Sequence, residues 1–346
     1  MSHPAGLPIR DFDFAFPEEL VADKPAEPRD SARLLAVERA GGAPRHLSFR
    51  DLPGQLRAGD VIVLNRTKVL PARLQGRKST GGKAEVLLVK EIEPGVWAAL
   101  SSGLKAGGKL IFPGGMAACV EGLNEDGEYL LSFSKEDVSG YLEANGLLPL
   151  PPYILKRQKI LGTQDDGLGY QTIYAREPGS IAAPTAGLHF TDDLLSRLKN
   201  AGIETAELLL HVGRGTFRPI TAEDAEKHPM GLEWYRLEEE AAERIRRARR
   251  AGGRIVAVGT TATRTLETLS ESGETLAGEG WTRLYIRPGH RFRGVDALIT
   301  NFHLPRSTPL LLASAFLGRE RLLECYAEAF RERYRLYSYG DAMLIL

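Results

Sequence analysis

The sequence has few cysteines, no long apolar run and no excess of charge of either sign. Its 346 residues include two cysteines, Cys119 and Cys325, which are far apart and form no CxxC pair. This spacing argues against a disulfide framework and against a thiolate metal site. Lysine plus arginine and aspartate plus glutamate both number 45. No overall basicity therefore indicates nucleic acid, although local clusters still can.

Signals for export or membrane insertion are also missing from the pattern. The first residues, Met1-Ser-His-Pro-Ala-Gly6, lack the basic and apolar regions of a signal peptide. No apolar run reaches the length that a bilayer requires, and residues 310–316 are short enough to be buried core. We therefore expect a soluble, cytoplasmic protein, and we expect it to be a monomer.

Residues 58–150 predict a small antiparallel barrel or sandwich. Short apolar runs recur there, and glycine or proline turns separate them. The stretch Leu148-Pro-Leu-Pro-Pro152 is then predicted to form a stiff connection at the end of this all-β module. The candidate strands are 61–64, 71–74, 84–89, 96–100, 109–112, 118–121 and 129–133.

Beyond residue 180 the pattern changes to alternating helices and strands. Such alternation is typical of an α/β layer with a mixed, largely parallel sheet, to which Leu34-Leu-Ala-Val37 adds a strand. The prediction is an α/β main domain of residues 1–57 and 151–346, with an all-β barrel domain of residues 58–150 inserted in it. Helices are predicted at 194–201, 222–226, 238–251 and 261–270, and strands at 203–210 and 254–259.

Three loops that each carry a histidine are the strongest candidates for a functional site. They read Ile181-Ala-Ala-Pro-Thr-Ala-Gly-Leu-His-Phe-Thr191, Leu210-His-Val-Gly-Arg-Gly-Thr-Phe217 and Thr300-Asn-Phe-His-Leu-Pro305. Glycine permits close approach of a ligand, and an imidazole can change charge near neutral pH. One such loop is more often an ordinary turn, but three in one chain favour a site. The candidates for ligand contact within them are Thr185, Gly187, Gly213, Gly215, Thr216 and Asn301.

The three histidines have alternative interpretations. They could be acid–base groups, metal ligands or core residues. No HExxH or HxE…CxxC spacing occurs, so that we predict no metal site. For His189 and His211, a role in acid–base catalysis or substrate contact is favoured over a role in the core. For His303, these two roles are equally favoured.

The segment Gly259-Thr260-Thr261 turns a strand directly into a helix and predicts a place for an anion. Helix-terminal amides and threonine hydroxyls can hold a phosphate or a carboxylate. Arg264, one turn later, could clamp the ligand or be solvated. The alternative is a helix start with nothing bound. The pattern is neither a Walker loop nor GxGxxG, which argues against nucleoside triphosphates and NAD.

Two further segments combine aromatic and charged residues. Residues 283–293 place arginines between aromatic residues, which suits contact with phosphates and bases, whereas the arginines of 244–254 resemble a solvated helix face. Residues 334–343 place three tyrosines beside Asp341, a further acid–base candidate. They predict either an aromatic wall for a planar ligand or a packed last strand.

These ordered motifs resemble those of the S-adenosylmethionine:tRNA ribosyltransferase-isomerases of queuosine biosynthesis. The likeness covers essentially the whole chain, and the architecture of that family, an α/β domain with an inserted β-barrel, agrees with the prediction above. The chain departs from the family's usual residues at Arg66, Arg287 and His290, among others. The matching segments are 11–14, 65–74, 148–154, 170–174, the three histidine loops, 257–261 and 337–343.

The resemblance implies an enzyme that uses S-adenosylmethionine as donor of its ribosyl unit. The implied acceptor is 7-aminomethyl-7-deazaguanine at the wobble position of tRNA, and the products are epoxyqueuosine, adenine and methionine. Such a reaction needs a base and an acid tuned near neutrality, which histidines can supply. It needs no metal and no redox cofactor, because S-adenosylmethionine is a co-substrate.

Two other classes of protein remain as alternatives. One is an RNA-binding module without chemistry, which would leave the histidine loops unexplained. The other is a dinucleotide-dependent oxidoreductase, which the missing glycine fingerprint disfavours. If tRNA is the partner, a local basic surface must hold it. The residues expected to form that surface are Arg73, Arg77, Lys78, Arg283, Arg291 and Arg293.

Overall fold

A nine-stranded mixed sheet forms the main body of the chain. The computed structural model describes residues 6–163, 167, 169–213, 215 and 219–346. The four central strands of the sheet are parallel, which confirms the predicted α/β class. From edge to edge the strands, numbered by their order in the chain, are β15 (Gly278–Thr282), β13 (Glu233–Leu237), β12 (Glu204–Leu210), β3 (Val61–Asn65), β14 (Ile255–Val258), β16 (Ala297–Asn301), β17 (Ala342–Ile345), β1 (Arg33–Val37) and β2 (Arg45–Ser48).

Strands β3, β14 and β16 are buried along their whole length, because both faces of the sheet are covered. Successive side chains point to opposite faces. Val61 and Val63 of β3 therefore belong to one hydrophobic core, and Ile62 and Leu64 belong to the other. Burial on both faces fixes the sheet as the rigid frame on which the loops are mounted.

Helices cover the two faces unequally. One face carries α4 (Glu239–Arg250), α5 (Gly259–Leu269), α6 (Thr308–Leu317) and α7 (Arg319–Arg331), and the other carries α3 (Asp192–Asn200) with a 3₁₀ helix at Phe49–Gln55. The helices predicted at 194–201, 238–251 and 261–270 are thus confirmed. The one predicted at 222–226 is wrong: the chain forms only a short 3₁₀ turn at Ala225–Lys227, capped by Asp224. Across the described part of the chain, no helix combines the length and apolarity that crossing a membrane needs.

A closed six-stranded barrel forms the second body and confirms the predicted all-β insertion. Its strands pair in the order β10-β7-β6-β5-β8-β9, and β9 pairs back with β10. It has its own hydrophobic core, to which α1 (Val138–Asn145) contributes Val138 and Leu142. The strands are β5 (Arg73–Lys78), β6 (Lys83–Glu93), β7 (Val96–Ser101), β8 (Lys109–Ile111), β9 (Ala117–Leu123) and β10 (Tyr129–Phe133).

The prediction that Val61-Ile-Val-Leu64 is part of the barrel was wrong. This segment is β3, between β12 and β14 in the main sheet. A strand buried on both faces shows no polar alternation, so its sequence does not reveal which sheet it joins. The next strand, β4 (Thr67–Val69), pairs with β11 (Glu177–Ser180), and the predicted boundary at residue 58 therefore precedes the first barrel strand, β5. After the barrel, α2 (Pro152–Leu161) leads back to the main body.

Candidate active site

A cleft opens at the carboxyl ends of the central parallel strands. Val212 follows β12, Gly259 follows β14 and Asn301 ends β16, and all three line the cleft. Its empty volume, with its open mouth, is about 570 Å³. Ligands of open α/β sheets bind at this edge, because the loops that leave the strands there enclose a crevice.

Helix α5 begins in the wall of this cleft with Gly259-Thr260-Thr261. Gly259 has a φ angle of 85°, a left-handed conformation that a residue with a side chain adopts only under strain. The preceding Val258 provides no side-chain cap, and the first amides of a helix have no acceptor within it. Unpaired amides at the positive end of the helix dipole favour an anion.

Asn65, at the end of β3, joins three elements beneath this helix start. Its amide nitrogen donates to the Leu210 carbonyl (2.9 Å) and to the Thr261 hydroxyl (3.2 Å). Its amide oxygen accepts from the backbone amides of Leu210 (3.1 Å) and Thr67 (3.2 Å). The fully buried side chain thus uses its donors and its acceptor together. This role of Asn65 is not visible in the sequence, because its partners lie up to 196 positions away in the chain.

Thr185 and Asn301 meet in the cleft and link the first and third histidine loops. The Thr185 hydroxyl donates to the side-chain oxygen of Asn301 (2.8 Å). The side-chain nitrogen of Asn301 donates to the Tyr337 carbonyl (3.1 Å). Tyr337 also lines the cleft, so that the C-terminal tyrosine segment contributes to it.

His303 is the loop histidine that lines the cleft. Its Nε2 lies 2.6 Å from the Thr300 hydroxyl, and its backbone amide donates to the Tyr326 hydroxyl (2.8 Å). Burial lowers the pKa of His303 to about 3, because the charged ring would lose hydration. The imidazole is therefore neutral at physiological pH and can accept a hydrogen bond at one nitrogen and donate at the other.

His189 lies in the core rather than the cleft, contrary to the predicted ligand contact. It is 4% exposed, and its ring stacks on Phe49 with the centroids 4.8 Å apart. Its Nδ1 lies 3.1 Å from the Ala186 carbonyl and its Nε2 lies 2.9 Å from the Gly340 carbonyl. Burial lowers the pKa of His189, and a neutral ring can donate to only one of these carbonyls. His189 thus connects its loop to the C-terminal segment.

His211 lies at the rim, next to a residue that lines the cleft. Its Nδ1 is 2.9 Å from the Thr67 hydroxyl, which is 2.7 Å from the Ser180 hydroxyl. Its ring stacks on Trp234 with the centroids 5.3 Å apart. Burial lowers the pKa of His211, although the nearby Glu177 acts in the opposite direction. Because Nδ1 is anchored, Nε2 is the nitrogen that remains for a substrate.

Asp341 anchors the backbone instead of lining the cleft. One carboxylate oxygen accepts from the Arg33 amide (3.0 Å), and the other accepts from the Arg335 amide (2.7 Å). The residue is 2% exposed. The structure therefore gives this predicted acid–base candidate a role in fixing the C-terminal loop against β1.

Among the residues that the structure describes, no group of three or more histidine, cysteine or acidic side chains could hold a metal ion.

Arg264 is buried beneath the second histidine loop. Its guanidinium forms an ion pair with Glu233, whose other carboxylate oxygen accepts from the Gly213 amide (2.8 Å). Its Nε donates to the Leu284 carbonyl (3.0 Å). Arg264 thereby supports the loop that carries His211. It also lines a second, smaller cavity that shares three lining residues with the cleft, namely Thr260, Thr261 and Pro309.

The remaining predicted loop residues occupy different surroundings. Gly187 is buried in a 3₁₀ turn, and a side chain there would collide with the Tyr174 hydroxyl. Gly215 is half-buried. Thr216, which was predicted to contact the ligand, lies outside the described residues.

The predicted RNA-contacting cations fall into two groups. Arg73, Arg77 and Lys78 belong to β5 of the barrel, whereas Arg283, Arg291 and Arg293 are exposed residues that follow β15. The arginines of α4 are different, since they pair with neighbouring carboxylates. Arg247, for example, lies 2.8 Å from Glu204. The predicted solvated face of this helix is consistent with that pairing.

An aromatic column connects the second histidine loop to the barrel. It is made of His211, Trp234 and Trp281, and the Lys90 ammonium lies at its barrel end. Trp234 of β13 and Trp281 of β15 are direct cross-strand partners. The Lys90 ammonium of β6 lies 5.2 Å from the centre of the Trp281 ring, which is a cation–π distance. Trp281 is nevertheless 55% exposed. The column is not visible in the sequence, because only strand pairing brings these residues together.

Comparison with known proteins gives a consistent result along the whole chain. The model of a family described as queuosine biosynthesis protein matches residues 9–345. A protein from Symbiobacterium thermophilum is 50% identical over 345 residues, which cover 98% of this chain and 99% of the relative. A protein from Thermus thermophilus is 52% identical over 348 residues, which cover 97% and 98%. Both are named S-adenosylmethionine:tRNA ribosyltransferase-isomerase.

The fold is similar to that of a solved structure as well. The crystal structure of S-adenosylmethionine tRNA ribosyltransferase from Thermotoga maritima matches with a TM-score of 0.55 and 36% sequence identity. The match covers 97% of this chain and 100% of that one.

Proposed function

This chain belongs to the queuosine biosynthesis protein family as one of its S-adenosylmethionine:tRNA ribosyltransferase-isomerases, and we propose that its cleft binds S-adenosylmethionine as a ribosyl donor. It is thus an enzyme of the transferase class. The acceptor in this proposal is the aminomethyl group of 7-aminomethyl-7-deazaguanine at the wobble position of tRNA. The products are epoxyqueuosine in the tRNA, free adenine and free methionine.

The proposed reaction makes and breaks several bonds, and the site must assist these changes. A carbon–nitrogen bond forms between the acceptor amine and the ribosyl unit, and the bond from that unit to adenine breaks, with a proton delivered to the purine. The carbon next to the sulfonium, once deprotonated, bonds to the carbon that carried adenine, and the bond from that carbon to the ring oxygen breaks. The freed oxygen then displaces the sulfonium sulfur, so that methionine leaves as a neutral thioether and the epoxide closes. One proton is released in total, and nothing is oxidised or reduced. The sulfonium acidifies the adjacent carbon, so a base that removes a proton there can start the sequence.

The observation that carries the proposal is the placement of two neutral imidazoles, one in the cleft and one at its rim. His303 lines the cleft, where a neutral ring does not repel a sulfonium cation. In this proposal it exchanges hydrogen bonds with the S-adenosylmethionine. His211 is held by Thr67 at Nδ1, as a general base is commonly oriented by a third group. It takes the proton of the attacking amine, because the amine must be neutral to attack.

The tRNA is proposed to lie across the junction of the main sheet and the barrel. The exposed Trp281 ring offers a stacking surface for a base, and Lys90 beside it offers charge for a phosphate. The barrel cations of β5 and the cations that follow β15 extend this surface on either side. Because the chain has no net charge, such a local surface must supply the attraction for a polyanion. We further propose that the enzyme acts in the cytoplasm as a monomer.

Adenine release tests this function. The protein is incubated with S-adenosylmethionine and tRNA that carries 7-aminomethyl-7-deazaguanine, with the same tRNA carrying guanine as the control. Adenine and a modified nucleoside of the expected mass should form with the first tRNA alone. An RNA-binding module would bind both tRNAs and release nothing. An oxidoreductase would act only when a nicotinamide dinucleotide is supplied, and either result would overturn the proposal.

A further inference from the structure

We propose that the smaller cavity beside the cleft holds the carboxylate of the amino-acid part of S-adenosylmethionine, with the adenosine part in the main cleft. This inference rests on the proposed function, because it assigns the orientation of that co-substrate. The two cavities share Thr260, Thr261 and Pro309, so one ligand can extend from one cavity into the other. The smaller cavity has an empty volume of about 350 Å³.

The guanidinium of Arg264 has an unused donor at this cavity. The Arg264 side chain is 7% exposed, and it uses one terminal nitrogen for Glu233 and its Nε for the Leu284 carbonyl. Its Nη2 is buried and has no hydrogen-bond partner among the described residues. A buried donor without a partner costs roughly 1–3 kcal/mol, so a native protein rarely keeps one unless a ligand or solvent satisfies it. Guanidinium and carboxylate are well matched in shape and charge.

A second unpaired donor, the Tyr285 hydroxyl, lines the same cavity. It too is buried and has no hydrogen-bond partner within the described part of the chain. Burial raises the pKa of Tyr285 to about 12, so the hydroxyl keeps its proton and can donate it to an oxygen anion. Thr260 and Thr261, at the uncapped start of α5, border the cavity as well. Residues that carry three kinds of donor therefore line one small space.

The rest of the cavity wall and its charge favour a carboxylate on an aliphatic chain. Met230, Ile286 and Leu312 supply apolar surface, which suits the methylene groups of the methionine part. Glu233 already balances the single positive charge of the Arg264 guanidinium. A carboxylate with one negative charge is therefore better accommodated than a phosphate with two, because the Glu233 carboxylate repels additional negative charge.

The test compares two ligands that differ only in the carboxylate. Dissociation constants are measured by calorimetry for S-adenosylmethionine and for decarboxylated S-adenosylmethionine with the full-length protein. The wild-type protein should prefer S-adenosylmethionine by about ten- to hundredfold, which is the usual range for hydrogen bonds to a charged group. Arg264→Lys keeps a charge for Glu233 but removes the free donor, and Tyr285→Phe removes a single oxygen. Each variant should reduce the preference by about threefold or more.

Arg254→Lys is the matched control. Arg254 also binds a buried carboxylate, that of Asp60 (2.7 Å), but it does so at the opposite end of β14. The Arg254→Lys variant should therefore prefer S-adenosylmethionine over the decarboxylated ligand as strongly as the wild type does. If Arg264→Lys does not fold, the Tyr285→Phe variant alone tests the inference. A wild-type preference near one, or variants that lose affinity equally for both ligands, would overturn the inference while adenine release continued. A protein that neither binds S-adenosylmethionine nor releases adenine would instead contradict the proposed function.

Discussion

The Thr300 hydroxyl lies 2.6 Å from Nε2 of His303, at the point where β16 opens into the cleft. Thr300 is 1% exposed and belongs to a strand buried on both faces, so it cannot easily change position. The imidazole is thereby held in one orientation by the sheet itself. This arrangement suits a group that must meet its substrate at a defined angle.

Replacing His303 in the cleft or His211 at its rim should impair catalysis more than folding. His211→Ala should lower the rate of adenine release by about a hundredfold or more, the usual contribution of an acid–base group. His303→Ala should lower it by about tenfold or more, because a hydrogen bond to the substrate is lost. Thr300→Val leaves the imidazole but removes its partner and should cause a smaller loss. Single-turnover adenine release and circular dichroism are the measurements. If both alanine variants keep nearly normal rates, the roles assigned to these histidines are wrong.

The low pKa of His303 predicts a specific loss of stability in acid. An unfolded histidine has a pKa of about 6.5, whereas that of folded His303 is about 3. The unfolded chain therefore binds the proton first as the pH falls. The stability that the neutral His303 ring contributes above pH 6.5 is therefore lost as the pH falls from about 6.5 to 3. The free energy of unfolding of His303→Gln should fall less than that of the wild type between pH 7 and pH 4, as measured with urea. Equal slopes would mean that His303 titrates normally.

His189 should matter for stability rather than for chemistry. His189→Ala removes the stacking on Phe49 and the hydrogen bond that the neutral ring donates to one of two backbone carbonyls. A cost of roughly 3 kcal/mol in the free energy of unfolding is expected from the cavity and the lost partners. His211→Ala, at the rim, should cost less. If His189→Ala were as stable as the wild type but inactive, His189 would belong to the catalytic groups after all.

Salt dependence locates the surface that holds tRNA. Charge contacts with phosphates release counterions, so binding should weaken steeply as the salt concentration rises. Arg291→Ala and Arg77→Ala should each lower the slope of log affinity against log salt by about one. Arg247→Ala is the control, because that arginine is paired with Glu204 on the helix face. A slope that changes only in the control would place the RNA on the other side of the molecule.

The exposed Trp281 ring predicts a stacking contact with a base of the tRNA. Trp281→Ala should weaken tRNA binding by about five- to hundredfold, since stacking of one base contributes roughly 1–3 kcal/mol. Trp281→Phe should retain part of the affinity, and S-adenosylmethionine binding without tRNA should not change. Leu123→Ala, at another exposed apolar residue, provides the control. Equal tRNA affinity in Trp281→Ala and the wild type would remove Trp281 from the interface.

The sequence by itself determined most of the helices and strands, and it predicted that the Gly259 segment borders a crevice. Gly259 followed by two threonines predicted a helix start at a crevice, and the structure has it there because the conformation and the uncapped amides are local properties. The runs 84–89 and 96–100 predicted barrel strands, because alternation and turn residues are local as well.

Tertiary structure alone decided which histidine faces the cleft and which strands are neighbours. His189, His211 and His303 occupy similar loops, yet one is buried against Phe49, one is held at the rim by Thr67, and one lines the cleft. These differences depend on partners far away in the chain, as does the place of β3 in the main sheet. Local pattern cannot encode such contacts, because burial and hydrogen-bond partners are fixed only when distant segments pack together.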